Sequence, residues 1–301
     1  MVLTLDDAWT KLRWACENFT TLREEIVAFE EAHDYRISMT LDTDSSEYLF
    51  YVHDLQEISA DNDWGLRIGD CVHNARTALD YLMVRLVARA RGVEPIDVHH
   101  VTFPICDTED DWKQSPATKL AKELALRGYL TRIEELQPYH VGNTSIWGST
   151  EQGLPKLSGI PTALQRLAHL DNIDKHRVVH AVWHGIAWYL AQPLETPADI
   201  TMRGSTTQGG RLENGAQIGT LHFEPFDPNW QPSEVEMKAA FPFQICVDDP
   251  LPSKGVCEVI EFCLWGVIAV LTMFNPVFTH GDPPWPVTSV PDFAPGALGA
   301  T

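Results

Sequence analysis

Acidic, imidazole, amide and guanidinium side chains are concentrated in one stretch of the sequence, Trp64 to Arg91. When successive side chains are placed about 100° apart, as on a helix, the apolar residues of this stretch form one continuous arc, which predicts an amphipathic helix. The polar residues of interest, on the opposite side or at its border, are Asp70, His73, Asn74, Arg76 and Asp80. Such a set can supply an imidazole base, a carboxylate that orients it and a guanidinium that steadies negative charge. The same residues also fit an ordinary solvated helix face, on which one Arg–Asp pair is worth little.

A second stretch with helical periodicity, Leu164 to Leu190, adds further ionisable groups. Its polar residues include Asp174, Lys175, His176 and Arg177. On a helix, His176, His180 and His184 would repeat once per turn, which is the spacing that helical zinc sites use. The pattern therefore predicts a divalent metal held by these three histidines. The alternative is an amphipathic border of hydrogen-bonded or exposed histidines.

Two short strings in these stretches carry a resemblance to a known family. GDCVHNARTALD spans 69–80 and NIDKHR spans 172–177. Together they resemble a widespread, largely actinobacterial group of proteins built around GD-x-x-HN-x-R-x-x-LD and N-x-DKHR, for which no activity is established. The resemblance implies that the matched polar residues form one shared centre. These residues are Asp70, His73, Asn74, Arg76, Asp80, Asn172, Asp174, Lys175, His176 and Arg177.

The composition limits the partners of the chain. Over 301 residues, 22 Lys and Arg stand against 42 Asp and Glu, so that the formal net charge is −20. This charge disfavours nonspecific nucleic-acid binding, and it is compatible with a small-molecule ligand. Six cysteines without a C-x-x-C pair indicate buried free thiols in a reducing cytoplasm. The amino terminus has no secretory pattern and the longest apolar run, 262–274, is too short to span a bilayer, so we expect a cytoplasmic protein without a membrane segment.

The remaining elements predict an α+β fold. Apolar periodicity predicts three more helices, at Thr4 to His33, Pro116 to Leu136 and Gly255 to Phe274. Alternation predicts a β-hairpin at Tyr35 to Leu41 and Tyr48 to Leu55, and further antiparallel strands at Asp199 to Arg203, Gln217 to Phe226 and Val235 to Val247. We therefore expect a bundle of four to five helices with a β-hairpin and a small antiparallel sheet. We predict one domain over 1–275 and a Pro- and Gly-rich tail with little regular structure over 276–301.

Three classes of function are compatible with these residues. The first is a hydrolase, either metal-assisted or based on His73 or His176 as general base, oriented by Asp80 or Asp174. The second is a binding or scaffold protein in which the two motifs form a buried structural network. Its ligand would then lie elsewhere, for instance under the long loop from Tyr139 to Gly159.

The third class is a ribonuclease of the HEPN type, in which an arginine and a nearby downstream histidine on one helix cleave RNA. Arg67 and His73 have roughly this spacing, although Ile68 replaces the usual polar residue after the arginine. The negative charge of the chain argues against this class. A hydrolase is placed narrowly ahead of a structural role.

Overall fold

The computed structural model describes most of the helices and strands of the chain. It describes residues 4–42, 44–45, 47–58, 63–92, 101–123, 127–140, 159–176, 179, 181–185, 201–207, 210–224, 229–230, 233, 237, 243–247 and 255–278. The chain is divided into two compact units. The first comprises Met1–Thr21, Leu66–Val178 and Val259–Thr301, and the second comprises Leu22–Gly65 and Val179–Glu258. The prediction of one domain over 1–275 is not decided by this division and stays a prediction.

The fold class is α+β, as predicted. The helices of the described residues are α1 (Asp6–Ala32), α2 (Trp64–Arg91), α3 (Glu109–Gln114), α4 (Pro116–Glu123), α5 (Arg127–Glu135), α6 (Ile160–His176) and α7 (Val256–Phe278). The strands are β1 (Arg36–Asp42), β2 (Glu47–His53), β3 (Ala181–Gly185), β4 (Thr201–Thr207), β5 (Gly210–Arg211), β6 (Gln217–Glu224) and β7 (Phe243–Val247). Most helical residues belong to the first unit, and all strands belong to the second.

Helix α2 has the bounds that the sequence predicts. Its apolar arc forms part of the core of the first unit, and the buried members of the arc are Val72, Ala75, Leu79, Leu82, Met83 and Leu86. The last turn carries Arg89 and Arg91, whose positive charges favour the carboxyl end of a helix. Gly92 then takes a left-handed conformation with φ of 67° and donates its N–H to the Ala88 carbonyl, which ends the helix.

An extended segment, 101–106, is held in the first unit by side chains instead of by a strand. Gln137 is fully buried, and its amide oxygen accepts the Cys106 N–H at 2.9 Å. Its amide nitrogen donates to the carbonyls of Pro104 at 3.0 Å and Ile133 at 2.8 Å. One side chain thus satisfies backbone groups that a neighbouring strand would otherwise satisfy.

Within the helix expected from Pro116 to Leu136, the structure describes helix over Pro116–Glu123 and Arg127–Glu135, and residues 124–126 lie outside the described residues. Another predicted helix needs correction. The helix expected from Leu164 to Leu190 ends at His176, and Ala181–Gly185 forms strand β3. The residues of β3 pair with β7, from Ala181 opposite Val247 to Gly185 opposite Phe243. The β-branched and aromatic side chains of Val182 and Trp183 suit such a strand, and pairing with β7 overrides the helical periodicity.

Helices α6 and α7 pack closely within the first unit. Gly266 of α7 lies against Ala163 of α6, since a Cβ added to Gly266 would be 2.6 Å from the Ala163 Cβ. By length and composition α7 could cross a membrane, with a mean hydropathy of 2.0 in its most apolar window, but 56% of that window is buried inside the protein. A core helix passes the same test. Helix α7 also runs beyond the predicted Phe274 to Phe278, which includes the first residues of the predicted tail. Residues 279–301 lie outside the described residues.

The second unit contains two antiparallel sheets. The larger has the strand order β1-β2-β6-β4, and the smaller has the order β5-β3-β7. The predicted hairpin is β1 and β2, which pair from Arg36 opposite His53 to Asp42 opposite Glu47. Tyr48, Phe50 and Val52 of β2 are buried and point to the core of the sheet. The hairpin and the later strands β6 and β4 thus form one sheet, whereas the sequence analysis treated the hairpin and the sheet as separate features.

Candidate acid–base site on helices α2 and α6

Helices α2 and α6 are in direct contact at Gly69. A Cβ built at this glycine would overlap the carboxylate of Asp174, so the absence of a side chain lets Asp174 lie against the backbone of α2. Gly69 of the first motif and Asp174 of the second are therefore neighbours in the folded chain. The glycine of the first motif is explained by this close approach.

The centre of the site is Asp171, which the sequence analysis did not single out. Its side chain is only 6% exposed, and its Oδ2 accepts a hydrogen bond from Nζ of Lys175 at 2.6 Å. Its Oδ1 lies 3.8 Å from Nδ1 of His73 and has no hydrogen-bond partner among the residues that the structure describes. His73 and Lys175 are each more than half exposed, at 57% and 54%. A buried carboxylate thus faces an imidazole that is open to solvent.

Burial perturbs a second carboxyl of this site. Partial removal from water raises the pKa of Asp174, and the negative charges of Asp171 and Asp70 raise it further. His73 and Lys175 act in the opposite direction. These five side chains therefore interact electrostatically, with more negative than positive groups among them.

Arg76 and Asp80, in contrast, are engaged with the backbone of one residue. The Arg76 guanidinium donates to the Phe103 carbonyl, and Asp80 Oδ1 accepts the Phe103 N–H at 2.8 Å. The two side chains also form an ion pair, with 3.4 Å between Arg76 Nη2 and Asp80 Oδ1. We call this arrangement the Phe103 clamp. Burial raises the pKa of Asp80, while Arg76 and the Phe103 N–H lower it. Because Phe103 is fully buried, the clamp fixes segment 101–106 to helix α2.

Asn74 connects helix α2 to helix α1 within the first unit. Its Nδ2 donates to the Asp70 carbonyl at 2.7 Å, and its Oδ1 accepts from Lys11 Nζ at 3.2 Å. Both polar ends of this nearly buried side chain are therefore occupied. Asn74 positions the helix from which Asp70 and His73 project.

The other predicted site residues are not brought into this cluster. His176 is the last residue of α6 and is exposed, and Asn172 of the same helix is also exposed. Arg177 and His180 lie outside the described residues, as do residues 141–158, most of the predicted functional loop. His184 lies on strand β3 of the second unit, so the helical repeat of His176, His180 and His184 does not form. No group of three or more His, Cys, Asp or Glu residues in the described part of the chain is arranged to hold a metal ion.

The cysteines near the site are not arranged as nucleophiles. All six are free, and Cys71, which follows Asp70 on α2, is fully buried. Burial, with the Asp70 charge, raises the pKa of Cys71 to about 12, and burial raises that of Cys16 on α1 to about 12 as well. Both thiols are therefore protonated at neutral pH and unsuited to attack.

No known family model, curated protein or solved structure matches this chain.

Proposed function

We propose that the protein is a hydrolase whose acid–base site is built from His73, Asp171, Asp174 and Lys175. One observation carries this proposal, namely the unbonded Oδ1 of the buried Asp171 at 3.8 Å from Nδ1 of the exposed His73. A buried carboxylate that orients an exposed imidazole is the arrangement of a general base. The distance is longer than a hydrogen bond, as is common before substrate binds, and a small rotation of the imidazole closes it.

The proposed chemistry follows from these positions. His73 takes a proton from water through Nε2, while Asp171 holds Nδ1–H and stabilises the imidazolium that forms. The hydroxyl attacks the carbonyl carbon of an ester or amide substrate, and the imidazolium returns its proton to the leaving group. The raised pKa of Asp174 allows it to hold a proton at higher pH than an ordinary carboxyl, so that it can assist as an acid.

The same geometry favours one of the two other classes of function and opposes the second. A structural network is favoured by the Phe103 clamp, because Arg76 and Asp80 are already bonded to backbone groups. We therefore assign a structural role to Arg76 and Asp80. The proposed acid–base chemistry is carried by His73 together with the α6 residues Asp171, Asp174 and Lys175. An RNA-cleaving site is opposed by Asp70, Asp171 and Asp174, whose charges surround His73 and repel phosphates. Membership of the bacterial family with the two motifs, the cytoplasmic location and a divalent metal cofactor stay predictions.

The proposal is tested with chromogenic substrates. Hydrolysis of p-nitrophenyl acetate, p-nitrophenyl phosphate and bis-p-nitrophenyl phosphate is measured for the wild type, His73→Asn and Asp171→Asn, with and without EDTA. Loss of a general base lowers kcat/KM by about 100-fold or more, and we expect this loss in His73→Asn on any substrate that the wild type turns over. Asp171→Asn should give a smaller loss and a changed pH profile.

Two controls separate catalysis from folding. His222→Asn, a half-buried histidine on β6, should leave kcat/KM unchanged. Asp80→Ala removes the acceptor of the Phe103 N–H and the ion pair with Arg76, and we expect it to lower the free energy of unfolding by about 1–3 kcal/mol while the folded fraction stays active. Wild-type rates in His73→Asn, or no turnover of any substrate by the wild type, would contradict the proposal and leave the structural network.

A further inference from the structure

Strand β1 forms one edge of the larger sheet. Its seven residues, Arg36–Asp42, pair with β2 in an uninterrupted register, and no described strand pairs with the other side. The residues alternate regularly between faces. Ile37, Met39 and Leu41 share the face of the buried β2 residues, and the polar Arg36, Ser38, Thr40 and Asp42 share the other.

The hydrogen bonds of β2 decide which groups of β1 point outward. The N–H and C=O of Val52 bond to Ala216 and Gly215, on the side of β2 that faces β6. Since these directions alternate along a strand, Val52 does not bond to its β1 partner, Ile37. The same alternation leaves the N–H and C=O groups of Ile37, Met39 and Leu41 directed to the open edge. Outside the strand ladders, no backbone hydrogen bond of these three residues is found within the described part of the chain.

The other edges of the two sheets carry features that block pairing. At β7, the N–H of Ile245 is occupied by Oε1 of Glu30 at 2.7 Å. At β4, the register shifts between Met202 and Gly204, and β5 contains only two residues. Bulges, short strands and covering side chains are the usual means by which edges avoid association. Strand β1 has no proline, no lysine and no bulge.

The sequence of β1 is complementary to itself when it is read in the antiparallel direction. In a two-fold pairing centred on Met39, Arg36 lies opposite Asp42 of a second copy, Ile37 opposite Leu41, and Ser38 opposite Thr40. Opposite charges and matched apolar residues directly across a pair of strands stabilise it. A two-fold interface requires this reciprocity, in which each residue meets its complement twice.

We propose that two copies of this chain associate through their β1 edges into one continuous antiparallel sheet. Ile37, Met39 and Leu41 supply the outward backbone groups, and Arg36 and Asp42 fix the register. In the single chain Arg36 pairs with Asp54 at 3.2 Å, but both side chains are about two-thirds exposed, and such pairs are weak. Asp42 accepts the N–H of Asp44 at 3.0 Å and keeps its negative charge for the second copy.

Sedimentation equilibrium of the full chain tests this proposal, from low micromolar to several hundred micromolar protein. Moderate salt is used because two chains of charge −20 repel each other at low ionic strength. The wild type is expected to show a reversible monomer–dimer equilibrium. Met39→Pro removes an outward N–H without breaking a β1–β2 hydrogen bond, so it should remove the dimer while the circular dichroism spectrum is kept.

Charge reversal provides the second arm, which does not depend on the folding of the proline variant. Arg36→Asp and Asp42→Arg should each weaken the dimer about tenfold, because an attraction becomes a repulsion at two symmetric places. The double variant, Arg36→Asp with Asp42→Arg, restores opposite charges across the interface and should recover wild-type association to within about threefold. Loss of Arg36–Asp54 pairing or of the Asp42 turn contact would not be repaired in this way.

Three outcomes overturn the proposal. They are a wild type that is monomeric at every concentration, a dimer that Met39→Pro leaves intact, and a double variant that associates no better than the single ones. If the wild type is monomeric, the β1 edge does not bind a second copy, and pairing with a strand from a different protein is the remaining alternative.

Discussion

Asp174 shows how a single carboxylate can be useful in a site and unfavourable for folding. Its pKa is raised, chiefly by burial and then by Asp171 and Asp70, so the folded protein holds its proton more tightly than the unfolded chain does. For an acid with a raised pKa, stability falls as pH rises from the unfolded value, about 3.9, through the folded one. Above that range the folded state carries the cost of the charge. Asp174 therefore opposes folding at neutral pH.

Asp174→Asn removes this cost while keeping the shape of the side chain. Because the carboxyl is partly exposed and water screens its charge, we expect only a small effect, with the variant more stable than the wild type at about pH 7 by up to about 0.5 kcal/mol and the difference vanishing near about pH 4. Urea unfolding at several pH values measures it. The control is Glu109→Gln, since the hydrogen bond from Lys113 lowers the pKa of Glu109. This variant should be less stable than the wild type at neutral pH, and the difference should shrink as the pH falls. A destabilised Asp174→Asn at pH 7 would show that the carboxylate has a favourable partner.

Single residues were predicted from the sequence with uneven success. The polar side of α2 was predicted because its periodicity is regular from Trp64 to Arg91. Asp171 was not predicted, because it lies on the apolar side of α6 and just before the string at 172–177. A signal was available, since Asp171 follows Leu164 and Leu167 at helical spacing and so lies on the buried side of α6. A carboxylate on an apolar arc, with a lysine four residues later, indicates a buried ion pair.

Helix packing in the first unit depends on small residues where helices approach. At Gly266 an added Cβ would meet the Cβ of Ala163, which is attached directly to the α6 backbone and cannot rotate away. Gly128 of α5, by contrast, has nothing within 4 Å of an added Cβ. The two glycines thus form a matched pair for the same substitution.

We expect Gly266→Ala to lower the free energy of unfolding by about 1–3 kcal/mol, because α6 and α7 must separate slightly. Gly128→Ala should raise it by up to about 1 kcal/mol, since alanine loses less backbone entropy in a helix. Urea unfolding at neutral pH compares the two with the wild type. An unchanged or higher stability in Gly266→Ala would mean that the helices do not approach as closely as described.

At the scale of elements, periodicity predicted the cores of the helices better than their ends. The hairpin and α2 were predicted closely, because charge, turn residues and alternation agree there. The extension of a helix through Trp183 was wrong, because the pairing of β3 with β7 depends on residues more than sixty positions away.

The whole molecule carries a charge of −20, which acts at distances longer than any single contact. It repels polyanions at physiological salt, where exposed charges are screened beyond about 8 Å. The same charge is a matter of composition and could be read from the sequence at once. The local excess of acidic groups near His73 could not be predicted from the sequence, because it depends on folding, which brings Asp171 close to α2.

We therefore expect neither binding nor cleavage of a fluorescent single-stranded RNA at physiological salt. Fluorescence anisotropy measures binding, and denaturing electrophoresis of the same RNA measures cleavage. The His73→Asn variant serves as the control for contaminating nuclease. RNA cleavage that is present in the wild type and lost in this variant would contradict the hydrolase assignment in favour of the HEPN-type ribonuclease.

The composition of the two units from separated segments has a consequence for synthesis on the ribosome. The first unit needs Val259–Thr301, at the carboxyl end, and the second needs both Leu22–Gly65 and Val179–Glu258. Neither unit is complete while the middle of the chain is being translated. The hairpin therefore keeps apolar surface uncovered until Val179–Glu258 has been made, and the helices of the first unit do so until α7 has left the ribosome exit tunnel. Chains that are released prematurely lack that last helix, and they become clients of chaperones and proteases instead of shortened, working proteins.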